Sequence, residues 1–255
     1  MRSETLRVFC FAFRASDLFR ISIFVFSKVM SMNLISTTLI HKIRPPLKSG
    51  PEKPPALVLL HGRGTNEDDL LGLIDYLDPR FFIISARAPF RFEEGFGGYT
   101  WYDLRDVGSP NLQQFDESYG KLIQFLADMK TGYAIDADRL FLLGFSMGSV
   151  MSFAAALTVP GLVRGIVAHS GYIPENSSLS FAWTKLQGLS AFVAHGVHDP
   201  VIPIEHGRRA HELLKHTSAD VSYKEYPIPH TISEQSLSDL SDWLQKKLAV
   251  PADMK

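Results

Sequence analysis

An α/β fold, with a mostly parallel sheet carrying helices on both faces, follows from three features of this 255-residue sequence. Short, wholly apolar runs such as Ala56-Leu57-Val58-Leu59-Leu60 match strands that are covered on both sides and need no polar face. Stretches with apolar residues at helical spacing alternate with these runs, and that alternation requires crossovers between parallel strands. At Gly144-Phe145-Ser146-Met147-Gly148 an apolar run gives way directly to a helical stretch, which marks a strand turning sharply into a helix.

Thr37 to Ile43 reads as an opening strand, and Pro45 to Pro55, with five prolines and a glycine, as a turn-rich connector. Ala56–Leu60 is the first buried strand and ends in His61-Gly62-Arg63-Gly64. A helix is expected over Glu67–Tyr76 and a second buried strand over Phe81–Ala86, stopped near Pro89. The stripe Phe115, Tyr119, Leu122, Ile123, Leu126, Met129 predicts an amphipathic helix, with Asp116 and Glu117 in its first turn and Gly132 beyond its end. Arg139–Leu143 is the strand before the serine, and Ser149–Leu157 the buried helix after it. Gly165–His169 and Leu189–His195 continue the sheet, and Glu205–Lys215 is helical. Val221–Tyr226 alternates like an edge strand. Leu237, Leu240, Leu244 and Leu248 line a last helix capped near Ser233.

Composition narrows the function. Apolar residues at 45% support a sizeable core, and a formal net charge of −1 with scattered Lys and Arg gives no basic stripe for nucleic acid. Cys10 is the only cysteine, so no internal disulfide forms; this fits a reducing compartment. Residues 1–31 differ from the rest. Arg2, Arg7, Arg14, Arg20 and Lys28 punctuate Phe-rich runs too short to span a membrane. One reading is a start assigned too early, with Met30 or Met32 the first residue. A targeting or membrane-touching segment is the second, with Glu4 and Asp17 against an organellar transit peptide, and a folded part of the domain is the third. The expected organisation is therefore a poorly ordered extension over 1–31 and one catalytic domain over 32–255, cytoplasmic unless 1–31 directs it to an organelle, with no stable membrane insertion and a monomeric or homodimeric state.

The Gly-x-Ser-x-Gly segment carries the chemistry. A serine on a strand-to-helix turn lifts its Oγ above the sheet edge, and the N–H of the next residue, Met147, points at the reacting oxygen. Serine needs a base, and the base an acid to orient it, in the chain order serine, acid, histidine. Asp199 lies in the loop just past a strand's carboxyl end, where ligand sites of open α/β sheets sit. His230 lies in Pro227-Ile228-Pro229-His230-Thr231-Ile232, between the last strand and last helix. Of nine histidines, His230 alone has both the order and the position. The second oxyanion donor is expected in the turn after the first buried strand, where Gly62 and Gly64 let the backbone approach, and the Arg63 N–H is the choice. No metal or organic cofactor is needed. A metal site of His195, His198 and Asp199 is a rival without a convincing further ligand, and a non-catalytic binding module on the same fold is another.

With these motifs in place, the chain resembles the phospholipase/carboxylesterase group of α/β-hydrolases, from about Leu57 to about Leu248. The resemblance rests on Leu60–Gly64, Trp101-Tyr102-Asp103, Gly144–Gly148, His169-Ser170-Gly171-Tyr172-Ile173-Pro174 and His195–Pro203. It implies Ser146, Asp199 and His230 as the catalytic triad, the N–H groups of Arg63 and Met147 as the oxyanion hole, and Trp101, Tyr102 and Tyr172 at the substrate. Where the group often has Gly-Phe-Ser-Gln-Gly-Gly, this chain has Met147 and Ser149, a change of pocket wall that weighs against the acyl-protein thioesterase subgroup. The expected substrate is a small ester of short to medium acyl length, with acyl thioesters, lysophospholipids and peptides as alternatives for the same triad. About two dozen residues between Ala168 and Phe192 are too few for a separate lid domain. The aromatic loop of Phe90, Phe92, Phe96 and Tyr99, with Gly95, Gly97 and Gly98, could cradle an acyl chain. A chain beginning at Met32 is expected to stay soluble and active, because nothing before Thr37 has the periodicity of a core element; an insoluble or inactive truncation would contradict this.

Overall fold

A computed structural model describes residues 34–93 and 97–249. The expectations for residues 1–31 lie outside this range, as does Phe96. Within the unit that runs from Ile35, seven strands form one sheet: β1 (His41–Arg44), β2 (Ala56–Leu60), β3 (Phe82–Ala86), β4 (Leu140–Phe145), β5 (Gly165–His169), β6 (Ser190–Gly196) and β7 (Asp220–Tyr226). Their order across the sheet is β1-β3-β2-β4-β5-β6-β7. All neighbours are parallel except β1, which runs antiparallel to β3.

Side chains along the strands alternate between two cores, as the pleat requires. Ala56, Val58 and Leu60 of β2 face one core, and Leu57 and Leu59 face the other. The first core is covered by α1 (Leu112–Gly132), α2 (Met147–Thr158) and α3 (Ile204–Leu214); the second by α4 (Glu234–Ala249) and the short 3-10 helix Asp69–Tyr76. Double coverage explains the unbroken apolar text of the central strands. It also explains why β7, at the edge, keeps Lys224 and Glu225 exposed while burying Tyr226. No separate lid is present among the described residues.

Local chemistry sets the helix ends. Asn111 caps α1 by accepting the Gln114 N–H at 3.2 Å. Before α4, Ser233 Oγ accepts the Ser236 N–H at 3.2 Å, and Ser236 Oγ accepts the Ser233 N–H at 2.9 Å, a reciprocal pair that satisfies two otherwise orphaned donors. The expected helix over Glu67–Tyr76 is a 3-10 helix starting at Asp69, and the opening strand is confined to His41–Arg44. Two hairpin ladders escape any periodicity because they are so short: Phe90–Arg91 with Tyr99–Thr100, and Leu104–Asp106 with Ser109–Pro110.

A close backbone contact joins α2 to the sheet. A Cβ on Gly148 would overlap the carbonyl of Leu60, and one on Gly144 would overlap the carbonyl of Gly148. With no side chain in between, the first turn of α2 rests directly on the ends of β2 and β4. Gly148→Ala is expected to cost about 3 kcal/mol, because backbone rather than a flexible side chain must move. That would lower the melting temperature by roughly 6–12 °C. Calorimetry would check it, and an unchanged melting temperature would show that this contact can relax.

Candidate active site

Ser146 lies between β4 and α2 with φ 54° and ψ −118°, a left-handed conformation that costs a non-glycine residue on the order of 1–3 kcal/mol. Surrounding bonds hold it there. Its N–H donates to His169 O at 2.9 Å, and its carbonyl accepts the Ser149 N–H at 2.9 Å. Ser149 Oγ lies 2.7 Å from Gly144 O and 2.8 Å from His169 O, so the serine that replaces the group's frequent glycine ties α2 to β4 and β5.

Two loops meet above this turn. Asp199 follows β6 and His230 follows β7, and the loops are joined by Val197 N–H to Tyr226 O at 2.8 Å and His198 N–H to Ile228 O at 3.2 Å. His230 Nε2 lies 2.9 Å from Ser146 Oγ, and His230 Nδ1 lies 2.7 Å from Asp199 Oδ2. A carboxylate can only accept, so Nδ1 carries the hydrogen and Nε2 is free to accept the serine proton. Asp199 Oδ1 accepts the N–H groups of Val201 and Ile202, each at 2.9 Å. Burial works to raise the Asp199 pKa, but the hydrogen bond and charge of His230, with those two N–H groups, outweigh it and hold the carboxyl below its ordinary value. Phe145 packs its ring 4.9 Å from the His230 ring.

The loop after β2 flanks the serine, and Gly62 comes within 3.4 Å of Ser146 Cβ, measured from where its own Cβ would be. Among the described residues the N–H groups of Arg63 and Met147 donate no hydrogen bond. The Arg63 guanidinium stacks 4.4 Å above the Phe92 ring. Three bonds pin this loop: Gly64 N–H to Tyr99 O at 2.9 Å, Tyr99 N–H to Thr65 O at 2.7 Å, and the Trp101 indole N–H to His61 O at 3.0 Å.

Trp101 therefore departs from the sequence expectation. It is 0% exposed, with its polar atom spent on the loop, and offers no surface to a substrate. Tyr102 and Tyr172 do line one cavity, with His206 on its wall. The expected sites Ser146, Asp199, His230, Arg63 and Met147 come together at the carboxyl edge of the sheet.

Three strand-end histidines form a supporting layer that the sequence reading left without a role. His61 Nε2 accepts the Ala88 N–H at 3.0 Å, so its Nδ1 donates to Gly62 O at 2.6 Å. His169 lies between the hydroxyls of Ser170 and Ser236, each at 3.1 Å. His195 Nε2 donates to Ile202 O at 2.8 Å, which fixes the loop that presents Asp199. His198 is exposed while Asp199 is buried. The one sequence signal for this layer is a polar residue closing an apolar strand.

Burial pushes His61 down to about 4 and His169 down to about 3, so both are neutral in the folded state where the unfolded chain protonates them near 6.5. The unfolded state then binds more protons, and stability falls as pH drops below about 6.5 toward these folded values. Each histidine contributes up to about 1.4 kcal/mol per pH unit. The urea midpoint is expected to fall steeply between pH 6 and pH 4; a constant midpoint there would contradict the neutral layer.

Comparison with known proteins agrees with this geometry. The family model described as Phospholipase/Carboxylesterase matches residues 47–248. The chain is 25% identical over 209 residues to acyl-protein thioesterase 1 of Candida albicans, covering 74% of this chain and 90% of that protein. It is 27% identical over 246 residues to acyl-protein thioesterase 1 of Mycosarcoma maydis, covering 87% and 100%. Its fold matches the crystal structure of the Bacillus cereus carboxylesterase at a TM-score of 0.72 and 22% identity, covering 82% of this chain and 94% of that one. A sharp strand-to-helix turn at Ser146 on a doubly covered parallel sheet and a family match across most of the domain lead to one conclusion: this chain belongs to the phospholipase/carboxylesterase family of α/β-hydrolases, a hydrolase of esterase and thioesterase type.

Proposed function

We propose that this chain is a serine esterase that cleaves small carboxylic esters of short to medium acyl length through Ser146, His230 and Asp199. The observation that carries the proposal is the unbroken pair of hydrogen bonds from Ser146 Oγ through His230 to Asp199. Ser146 Oγ attacks the acyl carbonyl as His230 Nε2 takes its proton. Asp199 holds the imidazole in the right tautomer and stabilises its charged form. The carbonyl oxygen, now an oxyanion, is received by the N–H groups of Arg63 and Met147, with the N-terminus of α2 adding its partial positive charge. His230 then protonates the departing alcohol, leaving an acyl-serine. Water, deprotonated by the same imidazole, releases the acid and restores the serine. These steps use only this chain's residues.

Thioester cleavage is the second reading, favoured by the names of the Candida and Mycosarcoma relatives. A thiolate is the better leaving group, so the same residues suffice. Residues 47–248, which the family model spans, hold every proposed group, and no helix among the described residues is long and apolar enough to cross a membrane. We place the reaction in the cytoplasm, in keeping with the lone cysteine.

The test is a series of p-nitrophenyl esters from acetyl to dodecanoyl, run beside acyl thioesters and lysophospholipids, with fluorophosphonate labelling. Ser146→Ala is expected to lose labelling and about 10⁶ in kcat, and Asp199→Asn about 10⁴, with the fold retained. A Ser146→Ala variant that keeps a tenth of the rate would remove the assignment. A kcat/KM that keeps rising to the longest acyl chain would overturn the short to medium range.

A further inference from the structure

His169 has a place in the fold that the triad chemistry does not use, and it touches both sides of the reaction on the reading that Ser146 is the nucleophile and His230 its base. It closes β5 and is fully buried, as are Ser170 and Ser236 on either side of its ring. Its main chain holds the nucleophile. His169 O accepts the Ser146 N–H at 2.9 Å, and the Ser149 hydroxyl lies 2.8 Å from the same atom. The chain then turns at Ser170, which shares with Ser146 a left-handed φ of 54°. That turn brings Gly171 against the Ser146 carbonyl, where a Cβ would lie only 2.9 Å from the oxygen.

The His169 ring reaches the other loop. Nε2 lies 3.1 Å from Ser236 Oγ. Ser236 is locked by the two reciprocal bonds that open α4 to Ser233, which follows His230 by three residues. The same ring lies 5.9 Å, centroid to centroid, from Phe145, and Phe145 lies 4.9 Å from the His230 ring. Counting hydrogens gives the link a direction. Ser170 Oγ meets His169 Nδ1 at 3.1 Å and no other partner among the described residues, so this buried hydroxyl finds an acceptor only if Nδ1 is the bare nitrogen. Nε2 then carries the hydrogen and donates to Ser236 Oγ. That oxygen also accepts the Ser233 N–H at 2.9 Å and passes its own hydrogen to Ser233 O at 3.1 Å. Ser233 O keeps a second lone pair for the Leu237 N–H at 2.8 Å. In this arrangement every hydrogen from Ser170 to Ser233 has an acceptor; in the other tautomer the Ser170 hydroxyl has none.

We propose that His169 is a positioning residue for the reaction at Ser146. Its carbonyl ties the turn that carries the nucleophile, its ring ties the segment that carries the base, and the residue between these two ends sets how Ser146 Oγ and His230 Nε2 meet. The ring acts through His230 and touches no substrate.

Replacing the ring cuts one end of the tie and leaves the His169 carbonyl in place. His169→Leu is expected to lose about 10- to 100-fold in kcat on p-nitrophenyl acetate, the cost of misplacing reacting groups by about 1 Å. KM is expected to stay within about twofold, since the loss falls on the transition state. His169→Gln, whose amide N–H extends toward Ser236 Oγ, is expected to regain most of the rate. Ser236→Ala cuts the link from its far end, is expected to lose a similar factor, and carries the test if His169→Leu does not fold by near-UV circular dichroism. In a His230→Ala background His169→Leu is expected to leave the residual rate unchanged, because a residue that acts through the base has nothing left to position. A folded His169→Leu or Ser236→Ala with wild-type kcat, a Gln variant no better than Leu, or an equal loss in the His230→Ala background would overturn the inference and leave His169 a packing side chain. Each of these leaves the Ser146 mechanism standing. Absence of fluorophosphonate labelling at Ser146 in the wild-type chain would remove the mechanism itself and this inference with it.

Discussion

Direct backbone packing between α2 and the sheet is the constraint on which the site depends. Gly144 and Gly148 let the helix start against the carbonyl ends of β2 and β4, and no other residue could occupy those positions without pushing the two apart. Once the helix is that close, the chain must reverse within a single residue. Ser146 takes the strained conformation, and the strain is met by bonds to His169 and Ser149. The same closeness leaves the Met147 N–H at the open first turn of a helix, where it donates no hydrogen bond among the described residues.

Parallel pairing does the rest of the alignment. Gly196 at the end of β6 is in register with Tyr226 at the end of β7, so the loops carrying Asp199 and His230 leave the sheet side by side and zip together through backbone bonds. Beneath them the neutral histidines act as spacers: flat, buried, and able to bond at two ring atoms. Through His195 and Ile202, the loop that presents Asp199 is anchored to its own strand. The Asp199 carboxylate is thereby positioned by the sheet rather than by the mobility of a surface loop.

Much of this was legible in residue order. The central strands announce themselves because coverage on both faces forces continuous apolar text, and the elbow because glycines flank a serine between strand and helix. Asp199 and His230 stand out in the sequence because a serine, acid, histidine order and the ends of the strands leave few choices, and the fold brings both beside Ser146. What escaped depends on long-range contacts. A tryptophan next to a glycine-rich loop reads as a ligand-facing aromatic, yet Trp101 spends its indole N–H on a carbonyl forty residues away in sequence. The partners of His169 and His195 are a serine on α4 and a carbonyl beyond β6; a strand-end histidine alone does not reveal either. The short ladders near Phe90 and Leu104 hold too few residues for any pattern, and Ser149 takes a tying role that a comparison with glycine at that place would not suggest.

The charged edges of the sheet bear on how copies of this chain can meet. Strand β1 is four residues long, with Lys42 exposed and paired to Asp68 at 2.6 Å, and β7 carries Lys224 and Glu225 outward, each held in an ion pair. A second molecule adding its own strand to either border would have to break those pairs and strip water from charged ends, in exchange for a few main-chain bonds that water already supplies. Short, charged borders of this kind disfavour self-association by a continuous intermolecular sheet.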